Sequence, residues 1–484
     1  MEPVVYRVRL ADRPGHRFVV QVSLPAGCNE VVFPSWAPGS YLMREFARFV
    51  RDIHAHHAGA PVPVVRTSRN VWRVSGPCQL EYSVYARDKT VRTAFLDETL
   101  AFFLPSNLCV FVPGQGASQL VVDVPAGHTA ICPVAICPVG PAVTGGWTAR
   151  FDFPDLDTLM DSPVSIGPFE RDQFDVLGVR HEHYIEPHHN GDRARMAVDL
   201  SRIVATAAAL FGDGFPYDSY QFVTLHTKNG HGGLEHKSSS ILLRPRLGFA
   251  DDGGTNGHGY EEFLTLAAHE HFHAWNVKRI HPVELGPTFD YANEHYTRDL
   301  WWLEGGTVYY EERVTFLAGL VTRERYLARL ADLVTRLRAT PGRHHQSLED
   351  GSFDAWIKLY RANEDLSNST VSYYLKGAVV VMCLDLELRH RSAGLYGSDD
   401  VLRTLWTKWG KQGVGYPTGS IAQVCRELAG GGDWDRWFAA HIQGTDEVAV
   451  ETALDHVGCD LVAVPGKKGG WLGIELSGGN VTSG

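Results

Sequence analysis

The stretch His269-Glu270-His271-Phe272-His273 decides how the rest of this chain is read. It fits the pattern H-E-x-x-H. On a helix, His269 and His273 lie four residues apart and project from one face. Two neutral imidazoles so placed can hold one zinc ion, and Glu270 beside them can take a proton from a water molecule. Histidine makes up 23 of the 484 residues, so chance matters. Residue frequencies give an accidental match about once in fifteen such chains. The surroundings argue against accident. Between Glu261 and Ile280, the residues Phe263, Leu266, Ala267, Ala274 and Val277 recur at helical period and predict one helix over that run. Glu270 falls inside this apolar stripe, where a carboxylate is costly unless something pairs with it.

A catalytic zinc site takes three protein ligands and keeps one open position. Glu304 is the best third ligand. It sits in Leu300-Trp301-Trp302-Leu303-Glu304-Gly305-Gly306-Thr307-Val308-Tyr309-Tyr310, and solvated glutamates rarely have such neighbours. His281 and His295 are rivals, both in a stretch with the Pro, Gly and Asn of a loop.

These residues resemble a known family. His269 to Ile280 (His-Glu-His-Phe-His-Ala-Trp-Asn-Val-Lys-Arg-Ile), followed by Trp302-Leu303-Glu304-Gly305, is similar to the glycyl aminopeptidases. That family consists of zinc peptidases with a glutamate third ligand, often carrying a PDZ domain. Trp36-Ala37-Pro38-Gly39-Ser40-Tyr41 resembles its W-x-P-G-S-Y segment, and Gly232-Gly233-Leu234-Glu235-His236 its G-G-x-E-H segment. Ser372-Tyr373-Tyr374-Leu375-Lys376-Gly377 resembles its S-Y-Y-x-K-G segment. The wider likeness is to the aminopeptidase superfamily with a thermolysin-like catalytic domain. Residues 274 to 303 form a longer gap before Glu304 than the larger branch has, and His236 stands where that branch has asparagine. Both departures agree with the glycyl branch.

The resemblance assigns roles residue by residue. Glu235 grips the protonated amine of the substrate, which only a free amino terminus supplies. Gly232 and Gly233 let the backbone approach an extended peptide closely and pair with it. Tyr374 donates to the developing oxyanion, with Tyr373 as its rival, because helix phase is legible only to within a residue or two. The implied function is a zinc aminopeptidase with one Zn2+ per chain, removing small amino-terminal residues, glycine and alanine, from peptides. Three alternatives stand beside it: a zinc endopeptidase of the same fold, a metal enzyme of another class such as an epoxide hydrolase relative, and a non-catalytic peptide-binding scaffold. A scaffold has no need of the full set His269, Glu270, His273, Glu304 and Tyr374.

Composition narrows the rest. The chain has a hydrophobic fraction of 44% and a charged fraction of 21%, as in ordinary soluble globular proteins. Its formal net charge of -11 disfavours nucleic acid as a partner. No apolar run is long enough to span a membrane. The start, Met1-Glu2-Pro3-Val4-Val5-Tyr6-Arg7, shows no leader pattern, so the chain as given reads as cytoplasmic. None of the eight cysteines forms a C-x-x-C pair, which predicts free buried thiols. Trp275, Trp301, Trp302 and Trp356 read as core.

The expected class is a multidomain α+β protein in four regions. Residues 1–168 alternate at period two, as in Tyr6-Arg7-Val8-Arg9-Leu10 and Leu80-Glu81-Tyr82-Ser83-Val84-Tyr85, and predict an antiparallel sandwich or saddle. Over residues 169–390 the pattern mixes, and the resemblance implies a thermolysin-like zinc domain there. It should hold helices over Met196 to Phe211 and Val371 to Arg389, and strands over Gln221 to His226 and Leu234 to Leu243. Residues 391–460 read as helical, with cap signals at Gly397-Ser398-Asp399-Asp400 and Thr445-Asp446-Glu447. Residues 461–484, with a strand at Trp471 to Leu476, resemble the start of a truncated PDZ-like domain.

Overall fold

The computed structural model describes residues 3–142, 145–250, 258–286, 288–430, 432–464, 475–477 and 480–483. It is a mixed α+β chain, with β structure first and a helical carboxyl-terminal region. Contacts divide it into two compact units. The first comprises Met1–Val204, Phe215–Ala274 and Thr288–His295; the second comprises Ala205–Gly214, Trp275–Pro287 and Tyr296–Gly484.

In the first unit the alternating amino-terminal sequence forms an eight-stranded sheet. Its order is Ile136–Pro141, Trp147–Phe153, Ser118–Val124, Val4–Asp12, Arg17–Leu24, Cys78–Tyr85, Val50–His57 and Ala60–Val62. Neighbours run antiparallel except Val4–Asp12 beside Ser118–Val124, which is a parallel pair. Alternation becomes burial: Tyr6, Val8, Leu80, Tyr82 and Val84 all face inward. The two buried tyrosines keep their hydroxyls satisfied, Tyr6 donating to the Val110 carbonyl at 2.8 Å and Tyr82 to that of Leu108 at 2.7 Å.

A second sheet in this unit runs in the order Glu170–Val176, Val179–Ile185, Ser219–Thr227, Ser239–Pro245, Gly232–Glu235. The expected single strand over Leu234 to Leu243 is a hairpin of two antiparallel strands, Gly232–Glu235 and Ser239–Pro245. The turn between them is held from outside. Asp161 accepts from the backbone of Lys237 at 2.9 Å and faces His236 Nδ1 at 3.1 Å. That tertiary clamp leaves no local turn signal in the sequence.

The same sheet carries buried histidines. His181 Nε2 contacts the Tyr217 hydroxyl at 3.1 Å, His183 Nε2 contacts Thr224 Oγ1 at 2.9 Å, and His226 Nε2 contacts the Glu186 carbonyl at 2.9 Å. Burial pulls their pKa values down to about 4, 3 and 4. Their folded values lie below the unfolded one, so the stability from keeping them neutral is complete above about pH 6.5 and is lost as pH falls toward about 4. Each is expected to cost about 2 kcal/mol at pH 5 relative to pH 7. Urea unfolding midpoints at the two pH values check this, with His183→Asn expected to reduce the difference.

In the second unit the helix Tyr373–Arg391 is central, and Lys376 to Asp385 is buried without interruption. Around it pack Gly306–Leu317, Arg323–Arg338, Ser420–Ala429 and Val450–Asp455. The cap signal at Gly397 is used: Asp400 accepts from its backbone N–H at 2.9 Å as the helix Ser398–Lys408 begins. The one at Thr445 is not, since the next helix starts at Val450 after Ala449, and Glu447 instead pairs with Arg343 at 3.1 Å. Trp275, Trp301, Trp302 and Trp356 are all buried. All eight cysteines are free thiols; Cys137 is half-buried, Cys459 is exposed and the others are buried. No helix of the described residues is long and apolar enough to cross a membrane. The expected strand over Trp471 to Leu476 falls mainly outside the described residues; Glu475–Ser477 pairs with Asn480–Ser483.

Candidate active site

The helix carrying the H-E-x-x-H pattern spans Gly259–Phe272, shorter than the expected Glu261 to Ile280. His273 closes it, donating its backbone N–H to the His269 carbonyl at 3.3 Å. Beyond it Val277 has φ 113°, which no helix permits. The apolar period misleads here because the following loop is equally buried: Ala274, Trp275, Asn276 and Ile280 are at most 1% exposed.

His269 and His273 converge, their Nε2 atoms 3.0 Å apart. Two nitrogens bound tetrahedrally at about 2.05 Å from one ion lie about 3.3 Å apart, so little adjustment is needed. The middle histidine has a different part. His271 is fully buried, its Nε2 at 2.6 Å from the Tyr217 hydroxyl and its ring against Tyr220 and Phe222. It is core packing, and its pKa is held well down by that burial.

Glu304 lies in a π-helical turn, Trp301–Gly305, that leads into the helix Gly306–Leu317. It is 2% exposed. His269, His273 and Glu304 each offer one ligand atom, and those atoms lie within 4.8 Å of one another. Two imidazoles and a carboxylate are a donor set suited to zinc. Neither His281 nor His295 belongs to any such group among the described residues. His281 Nδ1 faces the Pro282 carbonyl at 3.0 Å, while His295 accepts from the Asp290 backbone at 2.9 Å.

A second buried group joins His273 to Glu270 and Glu235, again within 4.8 Å. Burial raises the Glu270 pKa to about 7; His269 and His273 oppose the rise, Glu235 adds to it and Arg92 opposes it. Glu235 ends the strand Gly232–Glu235, which is the edge of its sheet among the described residues. Two positions earlier, Gly233 lies against the Glu270 carboxylate: a Cβ there would be 2.0 Å from Oε1. Only glycine leaves that carboxylate its place.

The segment Trp36 to Tyr41 meets the same strand. Ala37 accepts from the Ser40 N–H at 3.0 Å, closing a turn with Pro38 and then Gly39 at φ 81°, the arrangement of a type II turn. A Cβ on Gly39 would stand 2.6 Å from Glu235 Oε1. Trp36 anchors the turn by donating to the carbonyls of Asp290 at 3.1 Å and Asn293 at 3.0 Å.

Tyr374 and Tyr373 are separated by environment. Tyr373 is fully buried and Tyr374 half-buried, and both hydroxyls reach that of Tyr360, at 3.4 Å and 2.8 Å. Burial raises the Tyr374 pKa, and the Glu304 carboxylate raises it further. Two glycines bring the elements of Glu304 and Tyr374 together. A Cβ on Gly377 would lie 2.6 Å from the Trp301 carbonyl oxygen, and one on Gly305 would lie 2.5 Å from that of Tyr373. Tyr360 and Arg92 had no signal in the sequence, since nothing in their own segments marks them. Asn276 stood inside the quoted motif without an assigned part.

Comparison with known proteins gives the family. The model of the M61 glycyl aminopeptidase family matches residues 262–380, and that of the peptidase M61 N-terminal domain matches 5–168. Among solved structures, an aminopeptidase N family protein from Idiomarina loihiensis is 31% identical over 93% of this chain and 78% of that one, with a TM-score of 0.86. A mutant M1 zinc metallopeptidase from Deinococcus radiodurans shares the fold at 15% identity, covering 93% and 94% of the two chains, with a TM-score of 0.56. A mutant bound to the substrate Tyr-Ser-Ala has a TM-score of 0.54, at 15% identity over 90% and 92% of the chains. No curated protein matches. With both family models matched in order and a buried two-histidine, one-glutamate group in place, the chain belongs to the M61 glycyl aminopeptidase family and is a zinc metallo-aminopeptidase.

Proposed function

We propose that this enzyme removes single small residues, glycine and alanine, from the free amino terminus of peptides. In this reading His269, His273 and Glu304 hold the metal, and Glu270, Glu235 and Tyr374 act on the substrate. The observation that carries it is the spacing of Glu235 from Glu270 and His273, all within 4.8 Å. In a peptide the terminal nitrogen and the first carbonyl carbon are about 2.5 Å apart. A carboxylate so near the reacting groups therefore leaves room for one residue between its grip on the amine and the bond to be cut. That is the geometry of an aminopeptidase.

Zinc, when bound by the three ligands, supplies Lewis-acid polarisation of the scissile carbonyl and makes water a better nucleophile near neutral pH. Glu235 binds the substrate ammonium in a buried setting, where a charge-assisted contact is strong. The edge strand offers the backbone of Gly232 and Gly233 to an extended peptide, as in strand addition. Glu270 Oε takes a proton from water and returns it to the leaving amine. The Tyr374 hydroxyl donates to the carbonyl oxygen as charge develops there, a contact worth about 3 kcal/mol where such donors have been removed. The preference for glycine and alanine rests on the family.

The test compares Gly- and Ala-arylamides with their N-acetylated forms, using wild type and Glu235→Ala, with zinc content recorded. Cleavage confined to free amines, lost in Glu235→Ala while zinc stays bound, is the expected outcome. Equal cleavage of the acetylated substrates would instead make this an endopeptidase.

A further inference from the structure

The turn that carries Glu304 is not an ordinary helical turn. Its π geometry is marked by the bond from the Gly306 N–H to the Trp301 carbonyl, five residues back. Such a turn accommodates one extra residue and changes the direction in which its side chains point. Left alone it would relax toward the α-helix that follows it, because α geometry pairs backbone groups better.

One side chain occupies that turn from outside. Asn276 is 1% exposed. Its Nδ2 donates to the carbonyls of Trp302 and Leu303, both at 3.1 Å, and lies 3.2 Å from Thr307 Oγ1. An amide carries two protons, so three acceptors share them and the group is fully committed. Thr307 closes the arrangement by donating its hydroxyl to the Leu303 carbonyl at 2.6 Å. The carbonyls flanking Glu304 on its amino-terminal side are thus held by a residue three positions beyond His273. On another side Gly377 lies against the Trp301 carbonyl and the Gly305 Cα, so the turn is wedged by backbone there.

We infer that Asn276 is a positioning residue for the metal site: its side-chain amide fixes the π-turn so that Glu304 presents its carboxylate as a ligand. The inference rests on the assignment of Glu304 as third ligand. The clamping residue follows His273 by three positions along the chain, in the buried loop after the helix.

The test measures zinc dissociation constants by chelator competition on metal-free protein, with unfolding midpoints of the same samples, for wild type, Asn276→Ala, Asn276→Asp, Thr307→Val and Glu304→Gln. Loss of an outer contact that orients a ligand weakens metal binding by about 10- to 100-fold. Asn276→Asp keeps size and shape but replaces the donor by an acceptor facing carbonyl oxygens, so it should weaken zinc at least as much as Asn276→Ala. Thr307→Val should act in the same direction with a smaller effect, and it serves if an Asn276 variant fails to fold. Wild-type zinc affinity in both Asn276→Asp and Thr307→Val, whatever their unfolding midpoints, would overturn the inference while a weakened Glu304→Gln left the ligand assignment standing. Unchanged affinity in Glu304→Gln would overturn that assignment itself.

Discussion

Glu270→Gln is expected to lower kcat by about a hundredfold to ten-thousandfold, the range general acid–base catalysis contributes. Zinc content should stay at the wild-type level. The two readouts together matter, because Glu270 belongs to a buried group with Glu235 and His273 that is itself capable of holding a metal. If Glu270 were a ligand, the glutamine variant would lose zinc and activity together. If it is the base, zinc remains and only turnover collapses, with KM little changed because glutamine preserves the shape against Gly233. Glutamine matches glutamate in size, so it fits the space beside Gly233 that a larger group would not. Steady-state kinetics and metal analysis on one preparation decide it.

Gly377→Ala is expected to be strongly disruptive in the second unit. The added carbon would stand 2.6 Å from the Trp301 carbonyl oxygen and 3.0 Å from the Gly305 Cα. Both are backbone atoms within a packed element, so no flexible side chain can move aside. Overpacking of this kind costs about 1–3 kcal/mol or more, and here it also pushes apart the elements bearing Glu304 and Tyr374. The variant should unfold at lower urea and retain little activity even where folded. Gly116→Ala is the control: nothing lies within 4 Å of its added carbon, and its effect should be negligible. Equal stability of the two variants would remove the close approach as a cause.

Much of the site was legible because its spacing is local. His269 and His273 read as one pair at helical period, and the structure brings them to 3.0 Å. Glu304 read from its apolar neighbours, and those neighbours are buried with it. The alternation at Tyr6 to Val8 and Leu80 to Val84 likewise became strands with one face inward. What failed was the reading of where elements stop. The helix ends at Phe272 although apolar residues continue at the same period, because periodicity reports burial and a buried loop satisfies it too. The hairpin at His236 was missed because Asp161, from a distant segment, makes its turn. Telling Tyr373 from Tyr374 needs the phase of their helix, which a sequence does not carry; in the structure Tyr373 is buried and Tyr374 half-buried.

The type II turn at Gly39 has a consequence for building hybrids of such enzymes. The amino-terminal β region supplies the wall against which Glu235 rests, so it is not an interchangeable attachment to a catalytic body. A chimera that joins this sheet to a relative's β region must carry the same Pro-Gly turn, anchored by an indole equivalent to Trp36, or the Glu235 carboxylate will face a differently shaped surface. Compatibility between grafted halves should therefore track the identity of this one turn more closely than overall sequence likeness.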